Sequence, residues 1–140
     1  MAPIRLGKIG MSSYESQSAL GDELIFFKKE LEYDSEMFFH ATPAKNFSGI
    51  VELGFKTGKQ LFPDKSDALC SISFARNSID TRHHIRTRRS NGETWIIIAV
   101  RFSNLVKPDF NNEKLYLYVS KNHPQPEIVD HFEVPFSMDV

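Results

Sequence analysis

The sequence predicts a small α+β domain, because helical periodicity is confined to the early part of the chain and most later apolar runs have the length of strands. Residues 93–102, ETWIIIAVRF, are the clearest strand, and their continuous Trp, Ile and Val indicate burial on both faces. Twelve phenylalanines among 140 residues indicate a core filled by aromatic rings. This length suits one domain, so residues 1–140 are expected to form a single unit.

Helices are expected near the beginning of the chain. Residues 1–16 lack periodic apolar positions and are interpreted as an arm or a surface loop. Residues 17–33 carry apolar side chains at helical spacing and predict an N-terminal helix with one buried face. A second helix is expected over residues 43–53, with Thr42 as its N-cap and Gly54 as its C-terminal stop.

Strands dominate the rest of the chain. Besides the segment already described, short apolar runs predict strands over residues 37–40, 69–75, 115–120 and 128–134. The polar segment 56–68 is interpreted as a long loop, and long loops in compact domains often carry function. We therefore expect a core over residues 37–134 with flanking helices.

Composition excludes several classes of protein. The formal net charge is -1, so the molecule as a whole has no attraction for nucleic acid or anionic membrane. A single cysteine excludes an internal disulfide and a cysteine-rich zinc site. The N-terminus lacks the apolar segment of a signal peptide, and the longest apolar run, residues 95–100, is too short for a bilayer. We expect a monomer without a membrane partner, located in the cytoplasm or exported as an effector without a signal peptide.

Metal and thiol chemistry find little support in the sequence. None of the five histidines lies in an H-E-x-x-H pattern or pairs with another at i, i+4 spacing, so no metal is expected. Cys70 lies in a predicted strand, where a cysteine is usually an inert small hydrophobic residue. Neither residue type therefore indicates a reaction by itself.

A basic segment spans residues 76–89, RNSIDTRHHIRTRR, and contains five arginines and one acid. Placed on one face, these charges would bind the phosphates of a nucleic acid or a polyphosphate. The alternative is a solvated helix and loop that balances the acidic remainder of the chain. The arginines that would contact an acceptor or a phosphate are Arg82, Arg86, Arg88 and Arg89.

Three segments, in order along the chain, resemble the ADP-ribosyltransferase superfamily, which includes poly(ADP-ribose) polymerases, diphtheria-type toxins, bacterial DNA ADP-ribosyltransferases and tRNA 2′-phosphotransferases. FFHATPAKNFSGIVELGF at residues 38–55 resembles the first core strand, with its His-Gly-Thr triplet, and the following helix. CSISFARNS at residues 70–78 resembles the second core strand, with Ser73 in place of the usual tyrosine. NNEKLYLYVS at residues 111–120 resembles the strand that begins with the catalytic glutamate, and HPQPEIVDHFEV resembles the usual tail.

The resemblance implies that the domain binds NAD+ as a co-substrate without a Rossmann fold, on a split mixed or antiparallel β core. His40 would hydrogen-bond the adenosine-side ribose, and the backbone at Ala41 would hold the nicotinamide amide. Thr42 would support that strand end. Ser73 would stand where the family's tyrosine lies, and Phe74 or a neighbouring residue would stack on the cationic nicotinamide ring.

The same resemblance makes Glu113 the catalytic carboxylate. It would bond the 2′-hydroxyl of the nicotinamide ribose and stabilise the oxocarbenium-like transition state. Glu127 and Glu133 are rival carboxylates. Arg76, or an arginine within residues 82–89, would neutralise the pyrophosphate, and the loop over residues 56–68 would cover the donor.

The expected function is transfer of ADP-ribose from NAD+ to a macromolecular acceptor, either protein, DNA or RNA. The chain would then be a toxin, an effector or a phage-encoded modifier, with an inhibitor or immunity protein as a further partner. The alternative is a catalytically degenerate domain of the same fold that binds a partner or nucleic acid through residues 76–89. Ser73 and Asn111 favour this alternative, because both depart from the family's pattern. A third hypothesis is transfer of a 2′-phosphate from RNA.

Overall fold

The computed structural model describes residues 26–140, and six strands and four short α-helices lie in this range. The strands are β1 Met37–Pro43, β2 Ser71–Ala75, β3 Trp95–Arg101, β4 Phe110–Asn112, β5 Tyr116–Ser120 and β6 Glu127–Val134. The helices are α1 Lys29–Glu32, α2 Phe47–Leu53, α3 Gly58–Leu61 and α4 Thr81–Arg88, with 3-10 turns at Ala44–Asn46 and Ser78–Asp80. The predicted arm over residues 1–16 and the first part of the predicted N-terminal helix lie outside the described residues.

The strands form one six-stranded sheet in the order β4-β5-β2-β1-β3-β6. The predicted α+β class is thereby confirmed, and every strand pairing among the described residues is antiparallel. β3 lies inside the sheet between β1 and β6, and six of its seven residues are buried, as its continuous apolar run predicted.

The sheet separates two clusters of apolar side chains, because successive residues of a strand point to opposite faces. On one face, Phe39 and Ile97 pack with Ile85 of α4. On the other face, Phe38 belongs to a second cluster, against which Phe47 of α2 packs. Helices α4 and α2 therefore cover opposite faces of the sheet, and β1 contributes side chains to both clusters.

The contact between β1 and β2 is short. Seven residues of β1 pair with β3 and five residues of β2 pair with β5, whereas Phe39 and Ala75 form the single register pair between β1 and β2. We call this narrow junction the β1–β2 seam and define it by Phe39 and Ala75. A side-chain hydrogen bond from His40 to the backbone of Ser73 crosses the same seam.

The prediction that the first strand ends at His40 is wrong by three residues, because β1 continues to Pro43. Pairing with β3 extends through Pro43 and holds these residues in an extended conformation. Thr42 therefore caps no helix, and its Oγ accepts a hydrogen bond from the side-chain amide of Asn46 at 3.0 Å. The second helix begins at Phe47, after a 3-10 turn.

Other predicted boundaries also differ from the structure. Within the described part of the predicted helix over residues 17–33, the helix covers Lys29–Glu32 alone. The predicted loop over residues 56–68 contains α3, in which Thr57 and Gln60 form a capping box. Strand β4, Phe110–Asn112, lies outside all of the strands predicted from the sequence. Gly54 ends α2 as predicted, at a φ of +89°, which strongly favours glycine.

A buried carboxylate joins α1 to the segment before α4. Glu32 is 4% exposed, and its Oε2 accepts hydrogen bonds from Ser78 Oγ at 2.5 Å and from the backbone nitrogen of Phe27 at 3.1 Å. Its Oε1 accepts a longer bond, 3.4 Å, from the backbone nitrogen of Ser78. Glu32 thus satisfies donors from two segments that are far apart in the sequence.

Two arginines of the basic segment hold residues 135–140 against α4. Arg86 Nη1 donates to the backbone oxygen of Val140 at 2.9 Å. Arg89 donates to the backbone oxygens of Pro135 at 3.2 Å and Met138 at 2.9 Å. Both guanidinium groups therefore bond backbone oxygens of the chain itself, whereas contacts with an acceptor or a phosphate were predicted from the sequence.

Candidate functional site

His40 lies in the middle of β1, with its Nδ1 2.9 Å from the backbone oxygen of Ser73 in β2. A carbonyl oxygen only accepts hydrogen bonds, so we assign the ring proton to Nδ1, which donates in this contact. In the neutral ring, Nε2 then keeps a lone pair that can accept a hydrogen bond from a ligand. The neighbouring strand thus fixes both the orientation of His40 and its tautomer.

Aromatic rings enclose His40 on the side of the second apolar cluster. Its ring centroid lies 5.2 Å from that of Phe55 and 5.4 Å from that of Phe74. Burial lowers the pKa of His40, and the hydrogen bond with Ser73 partly opposes this shift. His40 is therefore neutral at pH 7 and acts as a hydrogen-bonding group rather than a cation.

A small cavity lies beside His40, between β1, β2, β5 and α4. We call it the inner cavity and define it by His40, Ser73, Thr81, His84 and Tyr116. Its volume is about 30 Å³, which is room for about two water molecules. No Asp or Glu lies among the described residues that line it. The inner cavity is therefore a polar but uncharged space at neutral pH.

His84 contributes the second imidazole of the inner cavity, from helix α4. Its ring packs edge-on against Trp95 at a centroid distance of 5.7 Å, and no hydrogen bond to it comes from residues 26–140. Burial, then the positive charge of Arg88 and the neighbouring His40 and His83, lower the pKa of His84 to about 4. The ring is thus neutral at pH 7, and neither nitrogen is bonded by the part of the chain that the structure describes.

The pKa of His84 makes the stability of the domain depend on pH. We expect the free energy of unfolding to fall as the pH decreases from 6.5 to about 4, because His84 takes up a proton in the unfolded state and stays neutral in the folded state. One pKa unit corresponds to about 1.4 kcal/mol, and solvent screening at this partly exposed ring reduces the total loss to about 1–2 kcal/mol.

Urea titrations at about pH 7 and about pH 4.5 measure this loss. His84→Phe removes the titrating ring and should lose about 1–2 kcal/mol less over the interval than the wild type. His83→Phe is the matched control, since His83 is the exposed neighbour on the same helix. An equal loss in the wild type and in His84→Phe would contradict the low pKa of His84.

A larger space, which we call the outer groove, lies on the other side of His40. Its volume is about 600 Å³, within the range of small-molecule sites. We define it by His40, Thr42, Lys45, Phe55, Lys56 and Phe62. The groove runs along α2 and the segment after it, and His40 forms part of the wall of both the groove and the inner cavity.

The lining of the outer groove combines positive charge with exposed apolar surface. Lys45 and Lys56 line it, and the described lining residues include no Asp or Glu. Leu53, Leu61 and Phe62 also line it and are 68%, 55% and 60% exposed. Exposed apolar side chains beside two cations suit a ligand with a flat apolar part and a negative charge.

The structure brings together some of the residues predicted for NAD+ binding. His40, Ala41 and Ser73 line the inner cavity, and Thr42 lines the outer groove. Phe74, predicted to stack on nicotinamide, is 1% exposed and lines neither space. Its ring is covered by its aromatic neighbours in the core, so it has no face to offer to a ligand in this arrangement.

Glu113, the predicted catalytic residue, lies outside both spaces. It is exposed on the turn between β4 and β5, where its backbone nitrogen bonds the oxygen of Tyr116 and its Oε2 accepts a bond from Asn111 at 2.9 Å. Strand β5 begins at Tyr116, and this side chain faces the inner cavity. The rivals Glu127 and Glu133 are exposed on β6, at the opposite edge of the sheet from β4.

Arg76 also lies outside both spaces, although it was predicted to neutralise a pyrophosphate. Its guanidinium group donates to the side chain of Asn112 and to the backbone oxygen of Glu113, and it lies 5.7 Å from the ring of Phe38. Arg76 therefore holds the β4–β5 turn. Of the other predicted arginines, Arg88 is exposed on α4 and Arg82 is half-buried on the same helix.

The residues of the inner cavity that sequence reasoning missed come from α4 and β5. Thr81 and His84 stand three residues apart on α4, a spacing that places both on one helix face. Tyr116 follows the alternation of β5, in which Leu117 and Val119 point to the core. The sequence shows this spacing, but it does not show that α4 packs beside β1.

Comparison of the chain with protein-family models, with curated proteins and with solved structures finds no match in any of the three. The resemblance to ADP-ribosyltransferases therefore rests on the motifs quoted above, and the family stays a prediction. Within residues 26–140, no helix has the length and apolar character needed to cross a bilayer. The same residues contain no group of three or more His, Cys, Asp or Glu side chains that could hold a metal ion.

Proposed function

We propose that the domain binds NAD+ across His40 and transfers its ADP-ribosyl group to a macromolecular acceptor. The observation that carries this proposal is that His40 forms a wall of both the inner cavity and the outer groove. NAD+ consists of two nucleosides joined by a pyrophosphate, so its binding needs two adjoining spaces of different character. A fixed, neutral hydrogen-bonding group between them is suited to a ribose hydroxyl.

The outer groove fits the adenosine and phosphate part of the ligand. Lys45 and Lys56 supply ammonium groups for the pyrophosphate, since charge-assisted hydrogen bonds to phosphate are among the strong ones. Phe62 and the exposed leucines beside it offer apolar surface to the adenine ring. Nε2 of His40 would accept a hydrogen bond from a ribose hydroxyl, as the assigned tautomer allows.

The inner cavity would take the nicotinamide end, and it must widen to do so. Its volume of about 30 Å³ accepts a group of hydroxyl or amide size, so entry of the ring requires Tyr116 or His84 to turn outward. Tyr116 would then present an aromatic face to the cationic nicotinamide ring, an attractive arrangement. Ala41 lines the same space, and its backbone would hold the nicotinamide amide there, the role that the family resemblance implies.

In the proposed reaction the bond between the nicotinamide nitrogen and ribose C1′ breaks, and its electron pair leaves with nicotinamide. The acceptor nucleophile forms the new bond to C1′ and releases a proton. A carboxylate would stabilise the positive charge that develops on the ribose. Glu113 is the candidate, and it reaches the inner cavity only if the β4–β5 turn moves, because it now lines neither space.

Binding of NAD+ without transfer is the second candidate function. It is favoured by the lack of Asp and Glu among the described residues that line the inner cavity and the outer groove. The alternative expected from the sequence, a catalytically degenerate domain that binds a partner or nucleic acid through residues 76–89, has less support. Arg86 and Arg89 bond the segment 135–140, so the basic segment offers fewer free charges than its sequence suggests.

Ligand-induced stabilisation tests the proposed site. NAD+ at a hundred times its dissociation constant should stabilise the wild type by about 2.7 kcal/mol. His40→Phe keeps an aromatic ring against Phe55 and Phe74 but removes Nε2, so we expect its NAD+ affinity to be about tenfold lower or weaker still. Thermal unfolding over an NAD+ titration measures both quantities, with His131→Phe on β6 as the matched control.

The outcomes separate the two candidate functions. Transfer by the predicted carboxylate is supported if NAD+ stabilises the wild type and nicotinamide is released. This release should be lost in Glu113→Ala and kept in Glu127→Ala. Stabilisation without release supports the binding function. If NAD+ does not stabilise the wild type, or stabilises His40→Phe equally well, the proposed site is refuted.

A further inference from the structure

A third cavity lies apart from His40, on the other side of α3. We call it the polar groove and define it by Lys59, Gln60, Cys70, Ser120, Lys121 and Asn122. Its volume is about 440 Å³, enough for a small ligand. None of its residues belongs to the inner cavity or the outer groove, so neither the proposed NAD+ site nor the reaction uses it.

The polar groove is built from residues between 57 and 63, from Cys70 shortly after them and from residues 120–122, which are distant in the sequence, and hydrogen bonds fix two of its walls. On one side, the capping box of Thr57 and Gln60 shapes α3, and the backbone nitrogen of Lys59 donates to the oxygen of Leu69 at 2.8 Å. On the other side, the backbone nitrogen of Ser120 donates to the oxygen of Asp109 at 2.9 Å. These hydrogen bonds thus preorganise both walls of the groove for a ligand.

The turn after β5, which carries Lys121 and Asn122, is also anchored. The next residue, His123, is 4% exposed, and its Nε2 accepts a hydrogen bond from the backbone nitrogen of Val106 at 2.8 Å. Its Nδ1 lies 2.9 Å from the backbone oxygen of Pro124. A buried histidine therefore holds the turn in place, and this turn carries Lys121, which lines the groove.

The polar groove carries positive charge without a compensating acid among its described lining residues. Lys59 Nζ donates one hydrogen bond, to the backbone oxygen of Lys65 at 3.0 Å, and an ammonium group has three donors. Within residues 26–140, no further acceptor bonds Lys59 or Lys121, so two donors of Lys59 and those of Lys121 can bond a ligand, together with the side-chain amide of Asn122. A ligand that satisfies them needs several acceptor oxygens and a negative charge, which a phosphate group provides.

We propose that the polar groove binds the phosphate group of a phosphate ester, independently of the site at His40. Lys59 and Lys121 contact the phosphate oxygens from opposite walls, and the side chains of Gln60 and Asn122 contact the adjoining part of the ligand. Two sources share this chemistry, a free nucleotide monophosphate and the phosphodiester backbone of a nucleic acid. The local pair of lysines provides the attraction, since the net charge of the chain is only -1.

Cys70 gives a direct readout of occupancy, because it lines the groove, is exposed and is the one cysteine of the chain. Alkylation of its thiol by iodoacetamide, followed by intact mass, is measured with AMP, with a short single-stranded oligonucleotide lacking terminal phosphates, and with adenosine. A phosphate ligand at ten times its dissociation constant should slow alkylation about tenfold, since the fraction of free sites falls by about that factor. Adenosine, which lacks a phosphate, should leave the rate unchanged.

Matched variants assign the protection to the groove. Lys59→Gln with Lys121→Gln should abolish it, whereas Lys114→Gln, an exposed lysine of the β4–β5 turn outside the groove, should keep it. His40→Phe should also keep it, which separates this site from the proposed NAD+ site. Protection by AMP alone identifies a nucleotide site, and protection by the oligonucleotide identifies a nucleic-acid site. The proposal is overturned if neither protects, if adenosine protects equally, or if protection survives in the double lysine variant.

Discussion

Replacing Phe39 by alanine will lower the free energy of unfolding by about 3–5 kcal/mol, the usual cost of emptying a buried aromatic site. Phe39 is 0% exposed and lies in the cluster that joins the sheet to α4. Its ring stacks on Phe27 at a centroid distance of 5.4 Å. It also belongs to the β1–β2 seam, where no second register pair can compensate for the lost packing.

Urea denaturation of the wild type, Phe39→Ala and Phe136→Ala measures this effect. Phe136 is 60% exposed, so truncating the same side chain there should change stability by no more than about 0.5 kcal/mol. Because both variants lose the same ring, the difference between their free energies of unfolding reports the contribution of burial. A decrease of less than about 1 kcal/mol for Phe39→Ala would show that the core is not packed as described.

Removal of the Glu32 carboxylate is the second change with a large expected effect. In Glu32→Ala, the backbone nitrogens of Phe27 and Ser78 and the hydroxyl of Ser78 lose their acceptor in a buried place. Each unsatisfied buried group costs about 1–3 kcal/mol, and these costs are not additive, so we expect a total loss of about 2–4 kcal/mol.

Glu30→Ala is the matched control for Glu32→Ala, since Glu30 lies on the same helix and is exposed. It should change the free energy of unfolding by no more than about 0.5 kcal/mol. Glu32→Gln keeps one acceptor oxygen and should fall between the alanine variant and the wild type. Chemical denaturation of the three variants measures the series, and equal stabilities of Glu30→Ala and Glu32→Ala would show that the buried network contributes nothing.

The fold class could be predicted because apolar patterning is a local signal. The run at residues 93–102 contains β3 and is buried as predicted, and Gly54 ends its helix through its own backbone conformation. Strand ends are different, because a partner elsewhere in the chain decides them. His40 was placed at the end of a strand, whereas pairing with β3 continues it to Pro43. No property of the residues 41–43 alone reveals that partner.

The candidate site could be predicted only where it lies on neighbouring strands. His40 and Ser73 were both selected from the sequence, and the hydrogen bond between them lies in the structure. His84 and Tyr116 were missed, because their place in the inner cavity depends on how α4 and β5 lie beside β1 and β2. Glu113, in contrast, was selected from the sequence but does not line the cavity. The family resemblance starts this strand at Glu113, whereas β5 starts at Tyr116, so Glu113 lies on a turn and Tyr116 lies at the cavity.

The β1–β2 seam gives the domain a mechanical property. It divides the sheet into two three-stranded blocks, β4-β5-β2 and β1-β3-β6, each held by longer ladders than the junction between them. His40 belongs to one block, Ser73 and Tyr116 belong to the other, and all three face the inner cavity. A molecule bound in the inner cavity would contact both blocks and hold them together across the β1–β2 seam. Binding in the inner cavity would then slow amide hydrogen exchange along β1 and β2, including at residues that the ligand does not touch.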